Sequence, residues 1–131
     1  MAASESYPEE LLYNAEHDWA RIDGGEAVLG ITWYAADSLG ELVHYEPPSP
    51  GDSVQKGRSY GEVESVKAVS DVIAPLSGEV LEVNQGVVDA PETVNEDPYG
   101  DGWLVRIRMS DPGEVDSLLD VDAYKQVLAE Q

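Results

Sequence analysis

The stretch that decides the fold reads Gly61-Glu62-Val63-Glu64-Ser65-Val66-Lys67-Ala68-Val69-Ser70-Asp71-Val72. Its apolar residues recur mostly at every second position, which predicts two strands, 60–66 and 69–74, joined by a tight turn at Lys67. A lysine at such a tip is ordinarily a solubility residue. Covalent modification is the alternative, and it gains support because the chain has only three lysines. Small or β-branched neighbours would also keep the tip rigid while an enzyme enclosed the amine.

The segments around this hairpin show the same period, interrupted by Gly, Pro, Asn or Asp about every 8–12 residues, which predicts a sandwich or barrel of short strands. Further strands are expected at 19–22, 27–31, 42–45, 79–83 and 103–109. Asp23-Gly24-Gly25 is a good hairpin turn. Thr32 is placed to cap a short helix over 33–39, with Gly40 at its end. The strand at 79–83 mixes acidic and apolar residues and should have one buried and one wet face.

The remaining segments predict loops and helical additions. Residues 85–102 are polar and proline-punctuated, and we expect a long ordered loop with little regular structure. Asp111-Pro112-Gly113-Glu114 has the pattern of a helix start, with a cap, a proline and a glutamate. We expect Asp122 to cap a second short helix. These helices should pack on the sheets and close an exposed edge.

A weak internal echo relates the segments on the two sides of the hairpin. Residues 52–57 precede it and residues 77–83 follow it, and both combine a turn with a strand. Two similar β units would leave Lys67 at the tip between them. We therefore expect a single, mainly β domain over 1–131, in which 1–10 is flexible or loosely packed and 111–131 is a C-terminal helical addition.

Composition excludes several classes of function. The formal net charge of −20 disfavours nucleic acid and anionic membranes as partners. It is consistent either with simple solubility or with steering toward partners that have basic docking surfaces. The absence of cysteine excludes disulfides, thiolate catalysis and cysteine metal sites. The acidic N-terminus resembles neither a secretory signal nor a transit peptide. We expect a cytoplasmic, bacterial-type protein or, because processing would leave no trace, the mature form of a mitochondrial one.

Independent catalysis has little support in the sequence. The only two histidines are His17 and His44, and Ser65 has no base beside it in sequence, which disfavours a Ser-His-Asp triad. The segment from Asn95 fails the calcium-loop pattern, because Tyr99 and Arg106 occupy ligand positions. No phosphate-binding glycine motif is present. The chain is therefore expected not to be an enzyme by itself.

Glu64-Ser65-Val66-Lys67-Ala68 resembles the lipoylation site of the glycine cleavage system H-protein family. Other stretches resemble the same family, in order and at its spacing, over roughly residues 11–128: 15–19, 30–32, 39–41, 70–71, 74–80, 83–84 and 95–103. Five positions depart from the usual pattern: Asp18, where Glu is usual, Trp33, Ser38 and the pair His44-Tyr45. These departures concern the surroundings of the attached arm more than its attachment.

Two related carrier families fit less well. Biotin carriers normally have methionine on both sides of the lysine, whereas Val66 and Ala68 stand here. The lipoyl domains of 2-oxoacid dehydrogenase complexes usually show Asp-Lys-Ala, and they are shorter and tethered to a catalytic domain. Lipoate in a glycine cleavage setting is therefore favoured over biotin.

The resemblance implies a barrel-sandwich hybrid fold, a lipoyl-domain-like flattened β-sandwich, with lipoate joined by an amide bond to Lys67 as N6-lipoyllysine. It also implies partners: glycine decarboxylase (P protein), aminomethyltransferase (T protein), lipoamide dehydrogenase (L protein) and lipoate-attaching enzymes. The chain would be a carrier of the aminomethyl group between P and T proteins. Two other hypotheses stay open: an H-like lipoyl relay that serves other lipoate-dependent enzymes or lipoate transfer, and an unmodified structural or binding domain.

The resemblance also implies a resting place for the arm, between the loop at His17-Asp18 and the short helix that ends at Leu39. Asp18 is the candidate to pair with the protonated amine of the load, and Ser38 is a weaker contact. The alternative for Asp18 is helix capping or solvation. Glu64 is expected either to orient the arm or a partner, or to be simply solvated.

Overall fold

The computed structural model describes residues 2–131, which form nine strands and five helical segments. The strands are β1 (Leu12–Tyr13), β2 (Asp18–Asp23), β3 (Glu26–Ile31), β4 (Leu42–Glu46), β5 (Ser53–Val54), β6 (Ser59–Ser65), β7 (Val69–Ile73), β8 (Gly78–Val83) and β9 (Val105–Met109). The helices are α1 (Trp33–Leu39), α2 (Gln85–Asp89), α3 (Thr93–Glu96) and α4 (Val121–Ala129), with a 3-10 helix at Pro112–Ser117. The expected mainly β fold with short helices is confirmed.

Two antiparallel sheets enclose the main core. The larger has the order β1-β2-β3-β9-β8-β5, and the smaller has the order β4-β6-β7. One buried apolar cluster contains side chains of both sheets, such as Leu29 and Ile107 from the larger and Tyr45, Val63 and Val72 from the smaller. Burial of apolar side chains from both sheets in one core joins the sheets and supplies the main stabilisation. No helix within residues 2–131 is long and apolar enough to span a membrane.

The segment from β2 to α1 forms as its local signals predict. Gly24 has φ +61°, in the left-handed region that the turn between β2 and β3 requires. Thr32 Oγ1 accepts a hydrogen bond from the Ala35 N–H at 3.3 Å, capping α1. Gly40 ends the helix with φ +88°, and its N–H donates to the carbonyl of Ala36. These features fix where α1 ends, which matters because Lys67 lies beside that end.

The two similar segments on either side of the hairpin, 52–57 and 77–83, contain strands β5 and β8, which pair with each other. Ser53 pairs with Glu79, and Val54 pairs with Gly78. The register of β8 against β9 shifts between Val80 and Glu82. The two acidic residues of β8, Glu79 and Glu82, are both exposed and Val80 is buried. The predicted wet face therefore exists, although a bulge interrupts it.

The prediction that 85–102 is an ordered loop with little regular structure is wrong, because it contains two short helices. Asn84 accepts a hydrogen bond from the Gly86 N–H and caps α2, and α3 follows four residues after α2 ends. Each helix buries one apolar side chain, Val87 and Val94. Such short helices offer no repeated apolar period, which is why the sequence did not indicate them. The last strand also begins at Val105, later than the expected residue 103.

The C-terminal segment differs from expectation in the type of its first helix and in the cap of its second. Asp111 accepts from the Gly113 N–H, but the helix that follows is a 3-10 helix. The prediction that Asp122 caps the second helix is wrong: Asp120 Oδ1 accepts from the Ala123 N–H at 2.8 Å. Leu119 exchanges two backbone hydrogen bonds with Tyr13, at 2.7 and 2.8 Å. The chain between the two helices thus covers the β1 edge of the larger sheet.

Candidate functional site

Lys67 is exposed at the tip of the hairpin that joins β6 to β7. The Ser65 N–H donates to the carbonyl of Ala68 at 2.8 Å, which closes the turn. The hydroxyl oxygen of Ser65, a buried residue, accepts from the N–H of Lys67 at 3.3 Å and of Ala68 at 3.2 Å. A side chain that binds the backbone on both sides of the turn limits its motion. The amine is therefore presented on a rigid support.

The side chain of Lys67 lies along the end of α1. A Cβ atom at Gly40 would stand 3.4 Å from Cε and 3.9 Å from Nζ of Lys67. Any side chain at Gly40 would therefore contact the methylenes of the lysine. The absence of a side chain at Gly40 leaves a space beside the lysine methylenes, the cradle, on the side where the root of a longer arm would begin.

Asn95 holds this cradle in place, although the sequence does not mark it as a site residue. Its amide nitrogen donates to the carbonyl of Gly40 at 2.9 Å, and its amide oxygen accepts from the Leu42 N–H at 2.9 Å. These bonds fix the chain on both sides of Glu41. The one indication of the importance of Asn95 in the sequence is that it lies in the stretch 95–103, which resembles the family.

Asp18 is a buried carboxylate at the start of β2, only 2% exposed. It accepts from the side-chain amide of Asn14 at 3.1 Å, while its own N–H donates to the Asn14 side-chain oxygen at 2.9 Å. Burial raises the pKa of Asp18 well above its usual range, although the Asn14 bond opposes the shift. No lysine or arginine within residues 2–131 forms an ion pair with it. Helix capping and solvation, the alternatives for Asp18, do not describe this position.

Strand β7 connects the surroundings of Lys67 and Asp18. A hydrogen bond from the Ile73 backbone lowers the pKa of Asp18, so the far end of β7 lies beside this carboxylate. Val69 to Ile73 spans roughly 13 Å along a strand. A lysine extended by a lipoyl group has roughly a dozen bonds, or about 15 Å, between Cα and the first ring sulfur. The length of such an arm is therefore comparable to the length of β7.

His17 and Tyr124 form a polar contact beneath α4. The Nδ1 atom of His17 lies 2.8 Å from the hydroxyl of Tyr124, which lies 2.9 Å from the hydroxyl of Thr32. His17 has φ +74° and stacks obliquely on Tyr34, with ring centroids 4.5 Å apart. Burial lowers the pKa of His17. The contact ties α4 to the loop that precedes Asp18 and to the start of α1.

Glu64 and Ser38 are both exposed. Glu64 lies on β6 between His44 of β4 and Val69 of β7. Ser38 is the penultimate residue of α1, two positions before Gly40. Neither side chain has a hydrogen bond to Lys67 among the described residues, so the structure brings them near the tip without joining them to it.

Trp33, one of the departures from the family pattern, fastens the N-terminal segment. Its indole N–H donates to the carbonyl of Ala3 at 2.8 Å, and its backbone N–H donates to the hydroxyl of Tyr99 at 2.8 Å. That hydroxyl donates to the carbonyl of Ser6 at 2.7 Å. The side chain of Trp33 thus binds the N-terminal segment. The looseness of residues 1–10 stays a prediction.

Ser65→Ala is expected to lower the free energy of unfolding by about 1 kcal/mol, because two turn N–H groups lose their acceptor. Urea denaturation measures this change. Ser70→Ala is the matched control, since its hydroxyl donates only to the carbonyl of Asp71, next to it in the chain. Equal stabilities of the two variants would contradict a stiffening role for Ser65.

Comparison with known proteins places these features in a family. The family model described as glycine cleavage H-protein matches residues 11–131. The chain is 52% identical over 124 residues to the glycine cleavage system H protein of Anaeromyxobacter sp. (strain K), covering 95% of this chain and 97% of that one. It is 47% identical over 125 residues to the H protein of Myxococcus xanthus (strain DK1622), with coverage of 95% and 97%.

A solved structure agrees with these sequence matches. The crystal structure of a glycine cleavage system H protein from Mycobacterium marinum superposes with a TM-score of 0.86 and is 42% identical. The match covers 94% of this chain and 99% of that one. The resemblance drawn from the residues around Lys67 is thereby confirmed at the level of the family and the fold.

Proposed function

The chain belongs to the glycine cleavage H-protein family, and on that premise we propose that it is a lipoyl carrier with lipoate amide-linked to Nζ of Lys67. The observation that carries this proposal is the exposed amine on a rigid turn, with its side chain laid in the cradle at Gly40. We take residues 1–131 as one carrier domain, with 111–131 as its helical addition. As a family member it is a component of a multienzyme system.

When bound, lipoate supplies a disulfide that accepts an aminomethyl group from P protein, yields it to T protein and is reoxidised by L protein. The chain's own residues hold and orient this group. The turn around Ser65 fixes where the arm begins. Asn95 and Gly40 keep the space beside its root open. Amide formation removes the positive charge of Lys67, so the arm can lie on the protein without a buried ammonium group.

Asp18 is the residue that we propose to receive the protonated amine of the load. A buried carboxylate with raised pKa and no cationic partner is favourably neutralised by a cation that enters beside it. Ser38 and Glu64, both near the lysine end, would contact the arm or a partner. The cost of burying Asp18 is then offset only when the load is present.

The proposed partners are P, T and L proteins and the enzymes that attach lipoate, and the proposed location is the cytoplasm. The relatives from Anaeromyxobacter and Myxococcus are bacterial proteins, which supports this location. The net charge of −20 supports partners with basic docking surfaces.

Two measurements test the proposal. Intact mass after incubation with lipoate, ATP and a lipoyl ligase should show addition of one lipoyl group. The lipoylated chain should then support glycine–bicarbonate exchange by P protein. An unshifted mass would reject the carrier function. A shifted mass without exchange would point instead to a lipoyl relay for other enzymes.

A further inference from the structure

We propose that Val43, Val66 and Val69 form an apolar collar around Lys67 on which the enzyme that acylates Nζ docks. This inference rests on the proposed lipoylation of Lys67 and adds the surface that the attaching enzyme recognises. It assigns a binding role to one residue, Val43, that lies far from the lysine in sequence.

The collar gathers the large exposed apolar side chains of the structure in one place. Within residues 2–131, Val43 is 49% exposed, Val66 is 87% exposed and Val69 is 60% exposed, and no other large hydrophobic side chain is as exposed. Single exposed apolar residues are common and need no explanation. Three at one end of one sheet, around a reactive amine, indicate an interaction surface.

A bulge in β4 brings Val43 to this surface. Leu42 pairs with Ser65 and His44 pairs with Glu64, so the register shifts at Val43. Leu42 and Tyr45 are buried, whereas Val43 and His44 between them are both exposed. In a regular strand, successive side chains would alternate between the faces. The bulge therefore turns an additional apolar side chain toward the lysine end of the outer face.

The strand register places the collar on both sides of the tip. His44, Glu64 and Val69 are aligned across β4, β6 and β7. Neighbouring strands are about 4.8 Å apart, so Val43 and Val69 stand about 10 Å apart across the sheet. Val66 extends from the turn beside Lys67. A partner that encloses Nζ would contact all three valines.

The position of the collar around Lys67 indicates which partner docks there, namely the enzyme that acts on Nζ. In that reaction Nζ attacks the carbonyl carbon of an activated lipoate such as lipoyl-adenylate, and an amide bond forms as the C–O bond to AMP breaks. AMP leaves with the bonding electron pair, and the lysine ammonium loses two protons to solvent. Enzymes that act on the ring sulfurs find their reacting atoms about 15 Å from the backbone. Only the attaching enzyme must close on the root of the side chain.

Acidic residues adjoin the collar and indicate a basic rim on the partner. Glu46, Glu62 and Asp71 are exposed and aligned across the same three strands, two residues further from the tip. Like charges directly opposite each other on neighbouring strands destabilise a sheet. Glu46 contacts the Nε2 atom of His44 at 3.0 Å, whereas Glu62 and Asp71 form no ion pair within residues 2–131. The row as a whole suits a partner whose lysines or arginines border an apolar patch.

The test uses the whole chain with Val43→Thr, Val66→Thr and Val69→Thr combined, which keeps side-chain shape and strand preference. We expect kcat/KM for lipoylation by a lipoyl ligase to fall about tenfold, followed by intact mass. The matched control is Val127→Thr, half-buried on α4, which should react like the parent. Acetylation of Lys67 by a small activated ester, read by peptide mapping, should be unchanged in all variants. The double variant Glu46→Gln, Glu62→Gln should reduce the salt dependence of kcat/KM.

The outcomes separate this inference from the function on which it rests. A parent chain that takes up no lipoate would reject the proposed function. A parent that is lipoylated while the triple variant reacts equally fast would overturn the collar alone. Slower reduction of the lipoylated triple variant by lipoamide dehydrogenase would show that the surface binds enzymes that act on the ring sulfurs, at the far end of the arm. A dimer that the triple variant loses, seen by sedimentation, would assign it to a second copy. Either assignment would overturn the proposal.

Discussion

Lys67→Arg is expected to abolish lipoylation and, with it, all support of glycine–bicarbonate exchange by P protein. Arginine keeps the positive charge and the length of the side chain, but its guanidinium stays protonated and does not act as the nucleophile that the amide bond requires. The exposed turn tolerates the change, so the free energy of unfolding should shift by less than about 0.5 kcal/mol. Intact mass and exchange activity measure the two losses, and urea denaturation measures stability.

The chain provides its own controls for this substitution, because Lys56 and Lys125 are its other lysines and both are exposed. Lys56→Arg and Lys125→Arg should each take up lipoate at the parent rate. Lys56 lies between β5 and β6, which belong to different sheets, and its ammonium contacts the hydroxyl of Ser117. Lys125 lies on α4, so neither lysine is on a hairpin tip. A lipoyl mass shift that survives Lys67→Arg would show that the attachment site is wrong.

The parts of the fold that the sequence predicted correctly depend on residues close together in the chain. The cap at Thr32 and the turn at Gly24 are set by contacts within a few residues, so the residue types themselves indicated them. The tip at Lys67 is also local, since Ser65 and Ala68 close it. A local signal of this kind is readable from one sequence.

The parts that could not be predicted depend on residues far apart in the chain. Asn95 reaches Gly40 across 55 positions, and His17 reaches Tyr124 across 107 positions. Nothing near Asn95 indicates that its amide will hold the cradle beside Lys67. The bulge at Val43 is equally hidden, because it arises from pairing with β6 and not from any residue in β4 with a special conformation.

The burial of Asp18 shows why the chemistry of the site could not be predicted from the sequence alone. The first three residues of β2, Asp18 to Ala20, are all buried, so the alternation expected of a half-exposed strand fails where the strand begins. The sequence indicated a carboxylate near the arm and left solvation open. Its burial changes the chemistry, because a carboxylate without water or a cation is costly to ionise.

Asp18→Asn is expected to shorten the lifetime of the aminomethyl-loaded protein about tenfold or more, because a charge-assisted hydrogen bond to the amine is worth ~1.5–3 kcal/mol. The lifetime is read from the decay of the loaded mass. Asp23→Asn, at the exposed opposite end of the same strand, is the matched control and should leave the lifetime unchanged. Equal lifetimes for Asp18→Asn and the parent would remove Asp18 from the site.

The same substitution has a second, independent readout in the pH dependence of stability. Burial raises the pKa of Asp18 in the folded state above the ordinary value of 3.8, so the unfolded chain releases this proton first as pH rises. The folded state of the parent therefore loses stability from about pH 4 upward until the folded-state pKa is passed. The amide side chain of the Asp18→Asn variant does not ionise. The free energy of unfolding of the variant minus that of the parent should consequently increase between about pH 4 and pH 7, whatever its absolute value at pH 4. A difference that stays flat over this range would mean that the carboxylate ionises as freely when folded as when unfolded, and Asp18 would then lack the unmet charge that draws the cationic load.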